Sequence, residues 1–502
     1  MYNFFLNRSP IQLAVISGLI VGLSYQPLSL FILAYIGFIP LIFSWLHNNV
    51  KNNILSGYTF GIIYNLISNY WMATNSGAEF IVVLFSLISA VIYLSIFWGL
   101  AGALVGIVKK QINRLAMLPF LVVALEWLRS FGPLGFPWGN LALTQMEILP
   151  LLQYIEYTGN YIIALFILSI NVLIFYNYFI SKLSKFSVAS IIMIILLFIG
   201  GGVLKIYLKS NYNVEKQISV AIIQPNLDPN KKWNNNTRSQ NLNTMDSLHR
   251  VAINLEPDFI LFPETALPTY LRINNKIREK LQTLVDISNI PILIGTVDRR
   301  IDSNGTKLYY NSSMYLKPYS TFEIYDKIHL VPFAEYDLIP SLLHPLGELN
   351  LNIERGVFKG GDKYKIFKFK NIKFSNLICY ESSLPRYSRK FAKNGAQILM
   401  IQANDGWLGN SAGPYQHFEH ARLRAIENCI PVIRCGNTGI SGVISHTGDV
   451  ERKIPIGTQD VIKETISLVN STTFYSQYGD VFSAFCFVLS LFIGPVLSCI
   501  RN

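Results

Sequence analysis

The chain contains few charged residues for its length. Only 14% of its 502 residues are Asp, Glu, Lys or Arg, and 51% are hydrophobic, whereas soluble proteins carry about 25% charged residues. This composition excludes a disordered chain and an ordinary cytosolic enzyme. The formal net charge is +12. No run rich in lysine and arginine accompanies that charge, so the sequence does not indicate a nucleic-acid partner.

Cysteine is scarce as well. The chain has no CxxC pair, and its five cysteines are Cys379, Cys429, Cys435, Cys486 and Cys499. This number and spacing exclude a disulfide framework and argue against a structural zinc site. Cys486 and Cys499 lie in an apolar run, where a cysteine is expected to be a small buried hydrophobe. We expect Cys429 and Cys435 in the core too, which leaves Cys379 as the candidate for cysteine chemistry.

The charges are unevenly distributed along the chain. Residues 1–208 contain nine Lys/Arg and four Asp/Glu, whereas residues 210–478 contain 31 Lys/Arg and 25 Asp/Glu. The first part and the C-terminal end hold long apolar runs: Ile11–Tyr25, Leu28–Trp45, Ile54–Met72, Phe80–Val108, Leu115–Leu128, Tyr161–Phe179, Val188–Leu208 and Val481–Cys499. A membrane-spanning helix needs about 20 apolar residues. The sequence therefore predicts a transmembrane domain of about seven helices over 1–209, a soluble domain over 210–478 and a final transmembrane helix over 479–502.

Basic residues indicate how these helices are oriented. With a cytoplasmic N-terminus and seven crossings, the segments on the inner side hold only basic charges: Arg8, Lys51, Lys109, Lys110, Arg114, Lys182, Lys185 and Arg501. The outer loops hold Glu79, Glu147 and Glu156, and Lys205 is the one exception. This distribution agrees with the positive-inside rule and predicts that the soluble domain lies outside the cytoplasm. A cleaved signal peptide is the alternative for the first run, but no clear cleavage site follows it.

One loop at the outer side of the membrane stands out. The stretch Glu126–Gly139 ends a helix with alternating glycines and prolines beside the charged pair Glu126 and Arg129. An ordinary connecting loop explains this composition as well as a functional loop that admits a lipid. Both interpretations stay open from the sequence.

The soluble part alternates short β-branched runs with helical patterns, which is typical of an α/β fold. The predicted strands are Ile218–Ile223, Phe259–Phe262, Ile292–Val297, Ser312–Leu316, Phe374–Ile378, Ile398–Gln402 and Val432–Arg434, and the predicted helices are Asn275–Ser288 and Tyr415–Asn428. Several strands end in polar residues, and ligands of α/β sheets bind beyond the carboxyl ends of strands. We expect the functional site there.

Three strand-end or loop residues together supply a mechanism. Cys379 offers a thiol nucleophile, Glu264 a carboxylate base, and Lys327 a cation that stabilises an oxyanion. Taken singly, each has an ordinary structural explanation. His417 and His420 are spaced i, i+3 rather than i, i+4 and have no clear third ligand, so we predict a role on the helix face and no metal site.

The contexts of Glu264, Lys327 and Cys379, in this order, resemble the nitrilase superfamily. The wider pattern is similar to its apolipoprotein N-acyltransferase family, which has membrane helices before the nitrilase-like domain and one after it. The matching motifs cover nearly the whole chain: Glu126-Trp-Leu-Arg, Gly135-Phe-Pro-Trp138, Gln224-Pro-Asn226, Trp233, Tyr310-Asn-Ser312, Pro332-Phe-Ala-Glu-Tyr336, Cys379-Tyr-Glu381, Asn404-Asp405, Gly413-Pro414, Gln416-His-Phe418 and Asn437-Thr-Gly439. The resemblance implies an α/β protein, an αββα sandwich joined to a multi-span helical domain.

The resemblance also implies roles for individual residues. Cys379 would be the nucleophile, Glu264 the general base and Lys327 the oxyanion stabiliser. Glu335 would support this triad, and the backbone N–H of Tyr380 would complete the oxyanion site. Further residues expected to serve activity or substrate placement are Trp233, Tyr380 and Glu381.

The reaction implied by the resemblance has two steps. Cys379 takes an acyl chain from a phospholipid, typically phosphatidylethanolamine, and the resulting thioester is attacked by the α-amine of a diacylglyceryl-cysteine apolipoprotein. No cofactor, nucleotide or metal is expected. The predicted location is the bacterial cytoplasmic (inner) membrane, with the catalytic domain on the periplasmic side.

Two other functions remain as alternatives from the sequence. A membrane-tethered nitrilase-type amidase would form the same acyl-enzyme and hydrolyse it with water, and the triad does not separate the two enzymes. A transporter or receptor with an external binding domain is the second alternative. Transporters usually carry ionisable residues within their spans, and these runs have almost none.

Overall fold

The computed structural model describes residues 2–181, 185–332, 334–336 and 358–496. The chain divides into two compact units. One comprises Met1–Ala73, Val83–Asn211 and Tyr478–Asn502, and the other comprises Thr74–Val82 and Tyr212–Gln477.

The first unit is helical. Its α-helices in the described residues are Tyr2–Leu6, Pro10–Gly22, Ile39–His47, Val50–Asn69, Phe80–Ile107, Gln111–Leu128, Leu149–Leu152, Ile155–Thr158, Tyr161–Phe179, Lys185–Ser210 and Val481–Leu491. Four segments are long and apolar enough to cross a membrane, namely Phe80–Ile107, Gln111–Leu128, Tyr161–Phe179 and Val188–Ser210. Three shorter apolar helices accompany them, at Pro10–Gly22, Phe31–His47 and Val481–Gly494. The chain is therefore built as a membrane protein, and the number of seven crossings stays a prediction.

The shorter helices show why apolar composition alone does not give the number of membrane crossings. The run Leu28–Trp45 forms a 3₁₀ turn at Phe31–Tyr35 and a separate helix at Ile39–His47. Pro40 occupies the first turn of that helix, where its missing N–H costs nothing. The last run forms helix Val481–Leu491, and its Cys499 lies outside the described residues.

Lys205, the exception to the charge asymmetry, has an acidic partner. Its ammonium pairs with Glu156, and Lys209 lies 2.7 Å from the second oxygen of the same carboxylate. The two lysines thus share a partner within the helical unit. Of the basic residues predicted on the inner side, Lys182 and Arg501 lie outside the described residues.

The loop at Glu126 is folded by its own charged pair. Glu126 Oε1 accepts the backbone N–H of Leu141 at 2.6 Å, and Arg129 donates to Asn140 Oδ1 at 2.8 Å. The backbone N–H of Phe136 donates to the carbonyl of Arg129 at 2.9 Å. These bonds give both charged residues a structural role in closing the loop, and the admission of a lipid there stays a prediction.

The second unit contains two six-stranded β-sheets. The strands are β1 (Val214–Gln224), β2 (Phe259–Leu261), β3 (Ile292–Ile301), β4 (Lys307–Leu316), β5 (Glu323–Asp326), β6 (Ile366–Phe369), β7 (Ile372–Ile378), β8 (Ile398–Ala403), β9 (Val432–Gly436), β10 (Ser441–Ile444), β11 (Val450–Ile454) and β12 (Asp460–Val469). Their orders are β12-β1-β2-β3-β4-β5 and β11-β10-β9-β8-β7-β6. Strands β1 to β3 run parallel, as do β7 to β9, so each sheet has a parallel centre.

Helices cover the sheets, and polar bonds join the sheets to each other. Asn235–Asn254 and Asn275–Ser288 bury apolar side chains against the first sheet, while Pro385–Lys393 and Ala412–Asn428 accompany the second. Gln402 of β8 donates to the carbonyl oxygen of Phe262 at 2.6 Å. Cys435 is buried and donates its thiol proton to the carbonyl oxygen of Ile223. The arrangement is the predicted αββα sandwich.

The structure locates every strand and helix predicted in the soluble part. It adds the strands β5, β6 and β10 to β12 and the helices Asn235–Asn254, Pro385–Lys393 and Phe474–Tyr478, which the sequence pattern did not indicate. Helix Ala412–Asn428 begins three residues before the predicted start, with Pro414 in its first turn.

A short segment from the N-terminal part of the chain belongs to this second unit. Within Thr74–Val82, the N–H of Ser76 donates to the carbonyl of Trp407 at 2.7 Å, and the Thr74 hydroxyl donates to that of Leu408 at 2.8 Å. Asn230 donates to Ser76 Oγ at 2.9 Å. Because of this segment, the soluble unit is not continuous in sequence.

Candidate active site

The carboxyl ends of the parallel strands carry the candidate residues. Glu264 follows β2, Cys379 follows β7, and Asp405 follows β8. The N–H of Asn226, after β1, donates to the carbonyl of Asn437, after β9, at 2.8 Å, so the strand ends of both sheets lie at one edge. This edge is where α/β sheets bind ligands.

Cys379 sits at a strained turn. It follows the last residue of β7, opens the 3₁₀ turn Cys379–Ser383, and has a backbone φ of +52°, a left-handed conformation that costs a non-glycine residue free energy. Ser382 Oγ donates to the Cys379 carbonyl oxygen at 2.8 Å, and His417 Nε2 lies 3.0 Å from the same oxygen. These contacts hold the main chain of Cys379, a residue of intermediate exposure, in one position.

Glu264 and Lys327 belong to one buried polar cluster with Glu335 and Asn311. Lys327 Nζ lies 2.8 Å from Glu335 Oε2 and 3.9 Å from Glu264 Oε1. The Asn311 amide donates to Glu264 at 2.7 Å and to Glu335 at 3.0 Å. Two carboxylates therefore share one ammonium and one amide, which fixes all four side chains.

Gly295 of β3 makes room for the Glu264 turn. A Cβ at this position would lie 2.4 Å from the carbonyl oxygen of Pro263, 2.6 Å from the N of Thr265 and 2.7 Å from Glu264 Cα. Only glycine permits so close an approach of two backbones. The glycine thus determines where the carboxylate of Glu264 is placed.

Burial dominates the electrostatics of this group. Burial raises the pKa of the Cys379 thiol well above its ordinary value, and Glu264 adds to this effect while Lys327 opposes it. Burial also raises the pKa of Glu264, whereas the Lys327 ammonium acts to lower it. For Lys327, burial acts to lower the pKa, but Glu335 and Glu264 outweigh it and raise the pKa. The thiol is thus neutral at rest, and its ionisation requires a proton acceptor.

Glu381 joins the Cys379 turn to the Lys327 segment. Its carboxylate accepts the N–H of Ile378 at 2.8 Å, the N–H of Ile328 at 2.7 Å and the N–H of His329 at 3.1 Å. The hydroxyl of Tyr325 also donates to it, at 2.9 Å. Burial raises the pKa of Glu381 to about 7, although these hydrogen bonds favour the ionised form. Glu381 therefore acts on the site through the backbone it holds.

The two predicted aromatic residues lie in different surroundings. Tyr380 is buried and stacks on His329 with ring centroids 5.8 Å apart. Trp233 packs against a small apolar cluster of Val297, Tyr309, Leu330 and Phe358. The seven predicted site residues are all described. Glu264, Lys327 and Glu335 form one group, and Cys379, Tyr380 and Glu381 lie in one turn that Glu381 bonds to the residues after Lys327.

Sequence reasoning missed several residues that the structure brings to the site. Asn311 links both carboxylates, and Asp405, His417 and Arg434 form an ionic cluster beside Cys379. Asn311, Asp405 and His417 lie inside motifs that carried the family resemblance, which was the one available signal. Lys232 is a further case, because this buried lysine has no hydrogen-bond partner for Nζ in the described ranges.

One group has the composition of a metal site. Cys379, Asp405 and His417 each bring one possible donor atom within 4.8 Å of the other two. However, one oxygen of Asp405 lies 2.6 Å from His417 Nδ1 and the other lies 2.6 Å from the Arg434 guanidinium. A protein cation thus already pairs with the carboxylate, so the group is an ionic hydrogen-bonded cluster. His417, predicted to have only a helix-face role, belongs to it.

Comparison with known proteins agrees with this geometry. Residues 219–481 match the family described as carbon-nitrogen hydrolase, and residues 17–173 match the one described as apolipoprotein N-acyltransferase N-terminal domain. The chain belongs to the carbon-nitrogen hydrolase family, which confirms the predicted fold class and the expectation of an enzyme.

Relatives that align over nearly the full length are named apolipoprotein N-acyltransferase. The relative from Geobacter metallireducens is 29% identical over 492 residues, covering 95% of this chain and 93% of the relative. Those from Chlorobaculum tepidum and Pasteurella multocida are 28% and 29% identical, and the alignments cover 95% and 93% of this chain and 94% and 91% of the relatives. A crystal structure of a nitrilase-superfamily member from Saccharomyces cerevisiae is 18% identical with a TM-score of 0.39, covering 51% of this chain and 91% of that one. The two family models and the full-length relatives confirm the family resemblance predicted from the motifs.

Proposed function

We propose that this chain transfers a fatty acyl chain from a membrane phospholipid, through a thioester on Cys379, to the N-terminal amine of a diacylglyceryl-cysteine apolipoprotein. The observation that carries the proposal is a strained Cys379 of intermediate exposure, close enough to Glu264, Lys327 and Glu335 for their charges to act on the pKa of its thiol. The names of the relatives support the substrate class, and the apolar helices support a lipid donor.

In the first step Cys379 is the nucleophile. Glu264 accepts the thiol proton as the sulfur attacks the ester carbonyl carbon of the phospholipid. The negative charge that develops on the carbonyl oxygen is stabilised by the Lys327 ammonium and the N–H of Tyr380. The C–O bond then breaks, Glu264 returns the proton to the leaving glycerol oxygen, and a lysophospholipid departs from the thioester.

In the second step the lipoprotein amine replaces the phospholipid. Its nitrogen attacks the thioester carbonyl and passes a proton to Glu264, while the same oxyanion site is used again. The C–S bond breaks, the thiolate takes the proton back from Glu264, and an amide is formed. Atoms and charge balance without a cofactor, since the thioester supplies the driving force for the amide.

The surrounding residues have supporting roles in this proposal. Glu335 and Asn311 orient Lys327 and Glu264 through the contacts described above. Glu381 holds the Cys379 turn against the Lys327 segment, and Trp233 contributes to substrate placement. These residues position the reacting groups and do not exchange protons with the substrate.

The proposed location is the bacterial inner membrane, with the catalytic unit on the periplasmic side. The charge asymmetry of the connecting segments supports this orientation. Both substrates carry acyl chains, so the thiol must be reached from a lipid surface. Phosphatidylethanolamine is proposed as the donor.

An amidase that hydrolyses the same acyl-enzyme is the competing function. The two enzymes differ only in the second nucleophile, so the lifetime of the thioester separates them. The purified protein is acylated with phosphatidylethanolamine vesicles, freed of donor, and followed by intact mass with or without a synthetic diacylated lipopeptide. We expect a stable adduct that disappears when the lipopeptide is added, and an acetylated lipopeptide as control should leave it intact. Rapid loss of the adduct in buffer alone would contradict the transferase.

A further inference from the structure

A buried ionic cluster lies directly behind the nucleophile. Asp405 follows β8, His417 lies on helix Ala412–Asn428, and Arg434 lies on β9. Asp405 Oδ1 is 2.6 Å from His417 Nδ1, and the Arg434 guanidinium is 2.6 Å from Asp405 Oδ2. All three side chains are at most 2% exposed. Three separate elements thus fix the position of one imidazole ring.

The other edge of this ring faces the backbone of Cys379. His417 Nε2 lies 3.0 Å from the Cys379 carbonyl oxygen and 2.9 Å from Ser382 Oγ. A carbonyl oxygen only accepts hydrogen bonds, so this contact requires a proton on Nε2, just as the 2.6 Å contact with Asp405 requires one on Nδ1. Ser382 Oγ donates to the same carbonyl at 2.8 Å. Two donors therefore hold one carbonyl group of a residue whose φ is +52°.

The position of this carbonyl determines the direction of the next N–H. The peptide unit is planar, and its C=O and N–H point to opposite sides. Fixing the Cys379 carbonyl toward His417 consequently directs the Tyr380 N–H away from the cluster. That N–H is the oxyanion donor in the function proposed above, on which this inference rests.

We propose that His417, held by Asp405 and Arg434, is a positioning residue that keeps the Cys379–Tyr380 peptide oriented for oxyanion stabilisation. The ring does not touch the substrate in this account. It counteracts the tendency of a left-handed cysteine to relax, which would turn the N–H away from the developing charge. Neither the sequence pattern nor the names of the relatives assign this role to His417.

Two substitutions of His417 test the role. His417→Phe keeps a ring of similar shape but removes the donor, and His417→Gln presents an amide N–H near the place of Nε2. Acylation of Cys379 is measured with a short p-nitrophenyl ester, which passes through the same oxyanion but needs no lipid. We expect His417→Phe to lower the rate constant of the p-nitrophenolate burst about 10- to 100-fold, with little change in the ester concentration that gives half the maximal burst rate. His417→Gln should recover at least a third of the wild-type burst rate constant.

Alkylation of Cys379 by iodoacetamide is the matched control reaction. Iodide is displaced from a saturated carbon as the C–S bond forms, so no oxyanion develops. The alkylation rate should therefore change less than about threefold in His417→Phe. Equal losses in alkylation and ester acylation would overturn the proposal, because the ring would then act on the thiol itself. An unchanged burst rate constant in His417→Phe would overturn it as well.

Ser382→Ala provides a second variant if His417→Phe does not fold. It removes one oxygen and leaves the ionic cluster intact, and we expect a loss of about 3- to 10-fold in ester acylation with unchanged alkylation. An ester acylation rate equal to that of the wild type would contradict the idea that two donors hold the Cys379 carbonyl. The proposed function is judged separately, by wild-type acylation from phospholipid vesicles. If wild-type protein is not acylated by the vesicles, the proposed function is wrong. The ester and alkylation rates then still decide whether His417 positions the Cys379–Tyr380 peptide.

Discussion

Glu381 offers the sharpest test of how the candidate site is held together. The substitution Glu381→Gln keeps the size of the side chain and replaces one carboxylate oxygen by an amide nitrogen, which only donates. The remaining oxygen can still accept from Ile328, His329 and Tyr325, which all bond to Oε1 in the structure. The backbone N–H of Ile378, bonded to Oε2 at 2.8 Å, would instead face a donor.

The magnitude follows from these contacts. An unsatisfied buried N–H costs about 1–3 kcal/mol, and the loss of charge weakens the remaining hydrogen bonds, so the free energy of unfolding should fall by about 2–4 kcal/mol. For a unit of this size, such a change lowers the melting temperature by about 5–15 °C. Tyr325→Phe is the matched control, because it removes one donor and leaves the three N–H partners, and it should cost about 1 kcal/mol.

The assay combines thermal unfolding in detergent with the initial rate of acyl-enzyme formation. Glu381→Gln should lower that rate at least tenfold, because the Cys379 turn and the Lys327 segment lose their shared anchor. A Glu381→Gln protein as stable as the wild type, or no more destabilised than Tyr325→Phe, would refute this anchoring role of Glu381.

Three further predictions concern the same unit. Burial acts to raise the pKa of Asp405, but His417 and Arg434 outweigh it and hold the pKa at about 2. Ionised Asp405 therefore adds about 2 kcal/mol to the free energy of unfolding above about pH 4, and this contribution is lost as the pH falls toward 2. The stability difference between wild type and Asp405→Asn should accordingly shrink from pH 5 to pH 2.5 in thermal unfolding. Burial lowers the pKa of Lys232 to about 8, although Glu264 acts to raise it, so Lys232→Met should raise the melting temperature at pH 7, and this gain should diminish by pH 9.5 as wild-type Lys232 becomes neutral. An equal or lower melting temperature at pH 7 would show instead that the attraction to Glu264 outweighs the cost of burial. Gly295→Ala should displace the Glu264 turn and slow acyl-enzyme formation at least tenfold, and a wild-type rate would disprove the close packing.

The sequence located the central strands of each sheet and missed all four edge strands of the described residues. Strands such as β2 and β8 are continuous apolar runs because both of their faces are buried. The edge strand β11 has the sequence Val-Glu-Arg-Lys-Ile and is largely exposed, so composition does not distinguish it from a loop. Helix Asn235–Asn254 was missed because it is polar along most of its length and buries only a few residues against the sheet.

The candidate site was predictable where a motif carried its residue. Glu264, Lys327 and Cys379 were recognised through their contexts and order, since each alone has an ordinary structural explanation. The ionic cluster was not predictable in this way, because Asp405, His417 and Arg434 become partners only through the packing of β8, β9 and a helix. A buried partnership between distant residues leaves no local pattern in one sequence.

The most direct test of the central claim is the mass of the intact protein after exposure to phospholipid. Wild-type protein purified from membranes, or incubated with phosphatidylethanolamine vesicles, should carry one acyl chain that hydroxylamine removes. Cys379→Ala should fold with a similar melting temperature and carry no adduct. A hydroxylamine-labile adduct that persists in Cys379→Ala would show that the acyl chain is not held by this cysteine.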